Sequence, residues 1–400
     1  MKILQLCHKM PYPPKDGGAI ATLNLTESLS AQGAEMAILA MNTEKYNFNI
    51  EKLPEHYKKM AHWQTVEVKA GFRYPQAILA ILKNESYNIK RYVHKAFEEQ
   101  LIQTLSDFKP DWVQLEGLYA TPYIKTIRKH SDAKISFRAH NLEFRIWQGL
   151  ANKVTAPVKR VYLQLLAYQL KEYEIEQLNK PDCIVSISPV DAELFKTLGC
   201  KVPIQVCPAS ISSSLINKPF YLNNKHTSLF FIGSLDSMPN IEGLYWFLHN
   251  VWPLINKKHP TLKFYVAGRN MPYSLLNEHY QNVVFMGEID DAYKFMENNS
   301  IMVVPLKSGS GVRVKILEGM AIGKTIISTT IGAQGIYCRN EKEILIANNP
   351  EAFLKYVTKC LEDRDFYTNI GINAKEFIAT HYESSEVARQ LLDFYKSFGS

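Results

Sequence analysis

Short apolar runs that alternate with helix-patterned segments, in two successive series, constrain this chain more than any other feature. KILQLC (Lys2–Cys7), EMAILAM (Glu35–Met41), WVQLE (Trp112–Glu116), KISFRAH (Lys134–His140), CIVSIS (Cys183–Ser188) and IQVCP, ending at Pro208, each have the length of a buried strand. Between them lie helix signals: Ala19–Gln32 closed by Gly33, and a long run starting near Pro157, where proline suits a first helical turn. Residues 45–100 read as several amphipathic, helical pieces rich in Tyr, Lys and His. The polar segment 208–227, with two prolines, interrupts the rhythm. It then restarts with SLFFIG, LKFYVAG, NVVFMG, IMVVP, TIIST and EILIA. A helix with apolar positions 241, 244, 248, 251, 252 and 255 follows the first of these. Three helical segments, roughly 350–362, 364–379 and 384–397, end the chain.

Repeated strand–helix units imply parallel sheets covered by helices on both faces. The expectation is therefore an α/β protein of two Rossmann-like doubly wound domains facing each other across a cleft. Their expected bounds are 1–207 and 228–380, with a linker over 208–227 and a last helix in 381–400 packing back on the first domain. Ligands of such sheets sit outside the carboxyl ends of the strands. The glycine pair Gly17–Gly18, after the first strand, would then face Gly233 and the Gly309–Gly311 loop.

Composition narrows the function classes. No apolar run reaches the ~20 residues needed to span a bilayer. The amino terminus reads as a first strand, its apolar run being too short for a signal peptide. Six scattered cysteines without a CxxC pair argue for reduced thiols in the cytoplasm, not for disulfides or a zinc site. The net charge of +7 is uneven: +6 over residues 1–205 and +1 over 206–400. A basic first half suits nucleic acid, an anionic membrane face or an anionic substrate. No nucleic-acid motif accompanies it.

The stretch Lys307–Thr329, KSGSGVRVKILEGMAIGKTIIST, carries the densest chemistry. It reads as a glycine loop after the strand Ile301–Pro305, then a helix over about Val312–Ile322, then a strand. Gly309 and Gly311 free the backbone to turn. First-turn amides at a helix start favour an anion, and Arg313 and Lys315 add positive charge there. Cations at that end oppose the helix dipole unless an anion binds, which favours a functional over a merely solvated reading. Glu318, one turn on, can accept hydrogen bonds from sugar hydroxyls. A diphosphate joined to a ribose fits this set.

With both halves in view, the chain resembles a glycosyltransferase of the GT-B fold, and most resembles family 4, the retaining sugar-nucleotide transferases. FIGSLDSMPNIEGLYWFL, YVAGR, VVFMGEIDD and VPLKSGSGVRVKILEGMAIGKTIISTTIGAQGI carry the likeness, in that order, over about residues 228–346. The first half matches through its glycine loop and RAHNLE (Arg138–Glu143). The resemblance implies that Gly17 and Gly18 let the first loop approach donor diphosphate and acceptor. It implies that Arg313 and Lys315 neutralise the diphosphate, and that Glu318, the second glutamate of an E-x7-E motif, holds the ribose. Gly233 and Ser234 would line the donor pocket with backbone, and His140 would stand near the transferred sugar. The first glutamate of the motif falls at position 310, which is Ser310 here, so sugar contacts shift to the backbone of Gly309, Ser310 and Gly311. Ser234 and Asn240 stand where many relatives carry a basic pair, leaving the positive role to Arg313 and Lys315.

The expected function is thus transfer of a sugar from a UDP- or GDP-linked donor to a glycan or lipid-linked acceptor in cell-surface polysaccharide or glycoconjugate synthesis. The resemblance implies no cofactor and no metal. Asp290–Asp291 reads as a helix cap, not an acidic metal pair. Glu116 and Glu143, each just after a strand, read as surface salt-bridge partners, with a base or acceptor ligand as the alternative. Tyr162, Tyr168 and Tyr173, near Lys159, Arg160 and Lys171, suit either a packed helix or a membrane or lipid-linked acceptor. Partners expected are a nucleotide sugar, the acceptor and the inner membrane face, touched by the basic first domain of a cytoplasmic protein, with no nucleic acid. Two alternatives stand beside this reading: an epimerase or phosphorylase on the same scaffold, and a non-enzymatic nucleotide- or nucleic-acid-binding module.

Overall fold

The computed structural model describes residues 1–398 except 15, 45–46, 72–76, 78, 81–82, 84, 220–226 and 310. Two compact units emerge: Met1–Ser210 together with Ser384–Ser400, and Ile211–Glu383. Part of the expected linker, 220–226, lies outside the described residues, as does Ser310.

The first unit is built on a seven-stranded sheet. Its strands are β1 (Lys2–Cys7), β2 (Glu35–Thr43), β3 (His62–Val68), β4 (Trp112–Glu116), β5 (Lys134–Ala139), β6 (Cys183–Ser186) and β7 (Ile204–Val206). Their order is β3-β2-β1-β4-β5-β6-β7 and every pair is parallel. The second unit holds β8 (Ser228–Ile232), β9 (Lys263–Ala267), β10 (Val283–Gly287), β11 (Ile301–Val304), β12 (Thr325–Ser328) and β13 (Leu345–Ile346). Their order is β10-β9-β8-β11-β12-β13, again parallel. Both orders reverse once, between β1 and β4 and between β8 and β11. A doubly wound sheet opens a crevice for ligand at that reversal.

The central strands β1, β4 and β8 are buried along nearly their whole length; their sequences are mostly apolar, and β1 and β4 also bury Gln5, Gln114 and Glu116. β3 corrects the helical reading of residues 45–100. HWQTVEV is an edge strand, only half-buried, so it lacks the apolar run that marks its neighbours. Short helices, Glu55–Met60, Tyr87–Lys90 and Lys95–Phe108, account for much of the rest of that segment. The helix beyond β8 runs through Met238–Trp246, a π-helical turn at Phe247–Val251 and Trp252–Lys258. The last strand shrinks from the expected EILIA to Leu345–Ile346.

The last helix, Ser384–Lys396, packs on the helix Gly17–Ala31 within the first unit. Val387, Leu391 and Tyr395 join Met36, Ile38 and Trp112 in one core. Tyr395 stacks on Trp112 with ring centroids 4.1 Å apart, and its hydroxyl donates to Gln114 Oε1 at 2.7 Å. All six cysteines are free thiols. Among the described residues no helix is long and apolar enough to cross a membrane.

In the second unit, strand ends meet at backbone distance. A Cβ on Gly268 would lie 1.9 Å from the Gly233 carbonyl oxygen, and one on Gly243 would lie 2.7 Å from that of Pro305. Gly268→Ala is expected to destabilise this domain by about 3 kcal/mol or more, because backbone must move. Gly149→Ala, at an exposed helix position with nothing near the new methyl, is expected to stabilise by up to about 1 kcal/mol. Denaturant unfolding of the two variants tests the contrast.

Candidate active site

In the first domain, the chemistry gathers at the sheet's reversal point. β4 ends in Glu116, β5 in Arg138 and Ala139 followed by His140, and β1 leads into His8 and Lys9. Glu116 is a buried hub. Its Oε2 accepts from His140 Nε2 at 2.7 Å, Thr22 Oγ1 at 2.8 Å and Arg138 Nη1 at 3.1 Å. Gln114 and Gln5 donate to Oε1. This corrects the surface-salt-bridge reading of Glu116, whose partner Arg138 is wholly buried. The sequence could not show it, because Arg138 meets Glu116 only once β4 and β5 are paired. Glu143 is no surface ion pair either: its Oε2 accepts from Tyr119 at 2.9 Å, and burial pushes its carboxyl upward.

Burial alone would raise the Glu116 carboxyl. The Arg138 charge and the His140 and Gln114 hydrogen bonds outweigh it and hold the group far below the usual carboxylate range. His140 runs the other way: burial lowers it, and the Glu116 contact only partly offsets this. A neutral His140 donating from Nε2 to an ionised Glu116 leaves Nδ1 as a bare acceptor. That nitrogen is buried and has no hydrogen-bond partner among the described residues. It points to the helix start at Gly18, where a Cβ would stand 3.8 Å from Nδ1 and 3.8 Å from Lys9 Nζ. Gly17 and Gly18 are the first residues of that helix, not of a loop as expected. Asp16 caps it, accepting from Ala19 N at 2.9 Å while pairing with Lys9 at 2.6 Å. His140 Nδ1, Lys9 and an uncrowded helix start can together receive a hydroxyl and an anion. His8 Nδ1 donates to the Glu116 carbonyl at 3.1 Å, and burial with Lys9 lowers its pKa to about 3.

In the second domain, the loop after β11 and the start of the helix Val314–Ala321 form the counterpart. Gly309 and Gly311 have φ of +111° and +81°, conformations that side chains resist. Arg313 is the helix cap, and its Nη1 donates to Gly311 O at 2.7 Å. A Cβ at Gly309 would stand 2.7 Å from Arg313 Nη2, so the glycine makes room for the guanidinium. Burial disfavours that charge, which an anion at the turn would repay. Lys315 stands elsewhere than the two-cation pattern anticipates. Its Nζ lies 2.8 Å from Glu318 Oε2 and over the Tyr293 ring, because residues three apart on a helix are neighbours. Glu318 also accepts from Tyr293 at 2.8 Å. Asp291 caps the helix that carries Tyr293, as expected, accepting from two amides at 2.9 Å.

Gly233 and Ser234 follow β8. Gly233 N donates to Ala267 O at 3.2 Å, and Ser234 O accepts from Asn240 at 2.9 Å. The sequence reading missed Arg269. It lies just past β9, and its Nε donates to Ser234 Oγ at 2.8 Å. Arg269 brings to this loop a cation that Ser234 and Asn240 do not supply. The GR pair ending YVAGR was its only signal. No group of three or more His, Cys, Asp or Glu side chains among the described residues is arranged to hold a metal.

Two doubly wound parallel domains in tandem, each with its polar residues at the sheet's reversal, define the class: the fold is that of the GT-B glycosyltransferases. Residues 226–363 match the family model of glycosyl transferases group 1. Over nearly its whole length the chain is similar to an uncharacterized 44.6 kDa protein in the cps region of Klebsiella pneumoniae, at 22% identity over 96% of this chain and 97% of that one. Its fold is similar to sucrose-phosphate synthase from Thermosynechococcus elongatus, with a TM-score of 0.72 at 16% identity, covering 100% and 99% of the two chains. HepE of Anabaena, solved with UDP, aligns with a TM-score of 0.68 at 11% identity over 99% and 100%, and has also been solved with UDP-glucose.

Glu116→Gln leaves Arg138 buried without its counter-charge and is expected to cost about 3–5 kcal/mol in denaturant unfolding. Acid should weaken the first domain. Unfolded His8 and His140 take up protons below about pH 6.5 that the folded residues refuse, and Glu116, depressed when folded, loses its contribution below about pH 4.5. His8→Asn keeps a donor for the Glu116 carbonyl, so thermal unfolding from pH 7 to 4 should fall less steeply than in the wild type.

Proposed function

We propose that the protein transfers a sugar from a nucleoside-diphosphate sugar, UDP- or GDP-linked, to a glycan or lipid-linked acceptor. The anomeric configuration is retained, and the product belongs to cell-surface polysaccharide or glycoconjugate. The observation that carries this reading is Arg313, set against Gly311 and Gly309 at the start of the helix Val314–Ala321. A half-buried guanidinium is folded onto a glycine backbone at a helix start, one turn before a carboxylate. The cps-region relative supports the polysaccharide role, and the UDP and UDP-glucose bound by HepE support the donor class.

Departure of a nucleoside diphosphate develops negative charge on its β-phosphate. Arg313 and the first-turn amides of the helix stabilise that charge more than the ground state, because they are fixed before it forms. A phosphate oxygen reaching the turn also draws Lys315 away from Glu318, freeing the carboxylate to accept from ribose hydroxyls. Arg269, held on Ser234, adds a third cation of the same domain. The resemblance implies that His140 stands near the transferred sugar, and its Nδ1, already stripped of its proton, is free to accept from one of the sugar's hydroxyls. Positive charge from the chain itself makes a divalent cation dispensable.

Thermal shift with a panel of nucleotides should select UDP or GDP over the monophosphates. Arg313→Ala should abolish that shift and lower transfer about 100-fold or more. Gly309→Ala should approach the same loss by displacing the guanidinium. Activity should persist in EDTA. A full panel without any shift, with Arg313→Ala indistinguishable from wild type, would sink the proposal.

A further inference from the structure

Three residues beyond His140, the chain leaves the sheet as a helical hairpin. The helices Glu143–Lys153 and Pro157–Gln177 pack closely against one another. The longer one has two apolar faces. Leu163, Leu166, Leu170 and Ala167 turn toward the domain's cores, where Leu166 and Leu170 are buried. Val158, Val161, Leu165 and Tyr168 recur at spacings of three, four and three residues, which sets them in one stripe on the opposite side. Val158 is 85% exposed, Val161 65% and Tyr168 56%. A water-facing helix surface normally carries charged and polar residues there. Every residue from Thr155 to Val161 is exposed, so the first turns project beyond the domain.

Charge sets this surface apart from ordinary apolar exposure. From Phe144 to Lys171 the chain has five basic residues, Arg145, Lys153, Lys159, Arg160 and Lys171, and no acidic one. Arg145 faces Asp191. Lys159 and Arg160 flank the exposed valines at the tip and are themselves exposed. Glu172 and Glu176 appear only further along the helix, behind Lys171.

We propose that this hairpin docks the protein on an anionic lipid bilayer. The Val158–Val161–Leu165–Tyr168 stripe enters the headgroup layer, with Lys159 and Arg160 on lipid phosphates. A helix lying in the interface buries one apolar face about 5–10 Å deep and adds electrostatic attraction to anionic lipid. Tyrosine suits that boundary, with an apolar ring and a polar tip. Nucleic acid offers nothing to two exposed valines, and charge alone would not place them there. Because the hairpin starts three residues beyond His140, docking would bring a lipid-borne acceptor to the same domain's polar cluster. The docking itself does not depend on the glycosyl-transfer reading.

Co-sedimentation of the full chain with vesicles tests it. Phosphatidylcholine vesicles containing phosphatidylglycerol should carry the protein down, and phosphatidylcholine alone should not. Val158→Asp with Val161→Asp should weaken partitioning tenfold or more. Lys159→Ala with Arg160→Ala should weaken it about fivefold per charge and flatten its salt dependence. Nucleotide-induced thermal shifts are measured on the same variants and should stay at the wild-type value, so a failed donor reading and a failed docking surface give different results. Equal sedimentation with both vesicle types, or valine variants that bind as wild type, would overturn the proposal. So would an oligomer in light scattering that the valine variants dissolve, which would assign the stripe to a second copy of the chain.

Discussion

The first domain depends on one buried charge arrangement. Glu116, at the end of the fourth strand, is ionised in a core because Arg138, His140, Thr22 and two glutamine amides meet it there. A buried carboxylate without such partners would cost several kcal/mol and take up a proton instead. The arrangement ties β1, β4, β5 and the first helix together at the sheet's reversal. It also sets the tautomer of His140, leaving one nitrogen bare toward the helix start. Structural and chemical roles therefore rest on the same atoms.

The network reaches the end of the chain. Tyr395, in the last helix, donates to Gln114, and Gln114 donates to Glu116. The Ser136 hydroxyl closes the link from β5 at 2.7 Å from the Tyr395 hydroxyl. A helix that begins at residue 384 is thus part of the polar core beneath residue 140, as well as of the apolar core around Trp112. The second domain solves the same problem with backbone. Gly243 and Gly268 let backbone approach within distances that a methyl group would forbid, to Pro305 and Gly233 respectively. That closeness brings Arg269, Ser234 and Arg313 to one end of one sheet.

Legibility in the sequence followed burial. Central strands such as LQLC and FFI are short and mostly apolar, so their existence could be read directly. β3 could not, because an edge strand with one wet face has the composition of an amphipathic helix over so short a span. The glycines at 309 and 311 were legible because backbone with φ above zero favours that residue; the helix, expected from about Val312, starts at Val314 with Arg313 as its cap. The partner of Lys315 was also within reach of helical spacing, yet a functional expectation drew it toward an anion. Tyr293 and Arg269 were not legible: each reaches the site from a different strand–helix unit, and nothing local marks the contact.

By itself, the sequence determined two parallel α/β domains, the loops at their strand ends and the residue types available for a phosphorylated ligand. Periodicity and glycine placement are local properties, and local physics suffices to read them. Tertiary structure alone decided which charges are paired, which are buried, and which nitrogen of His140 is bare. It also decided that one face of the helix after Pro157 would be left to solvent. Those outcomes depend on distances between segments tens to hundreds of residues apart, which only the folded sheets bring together.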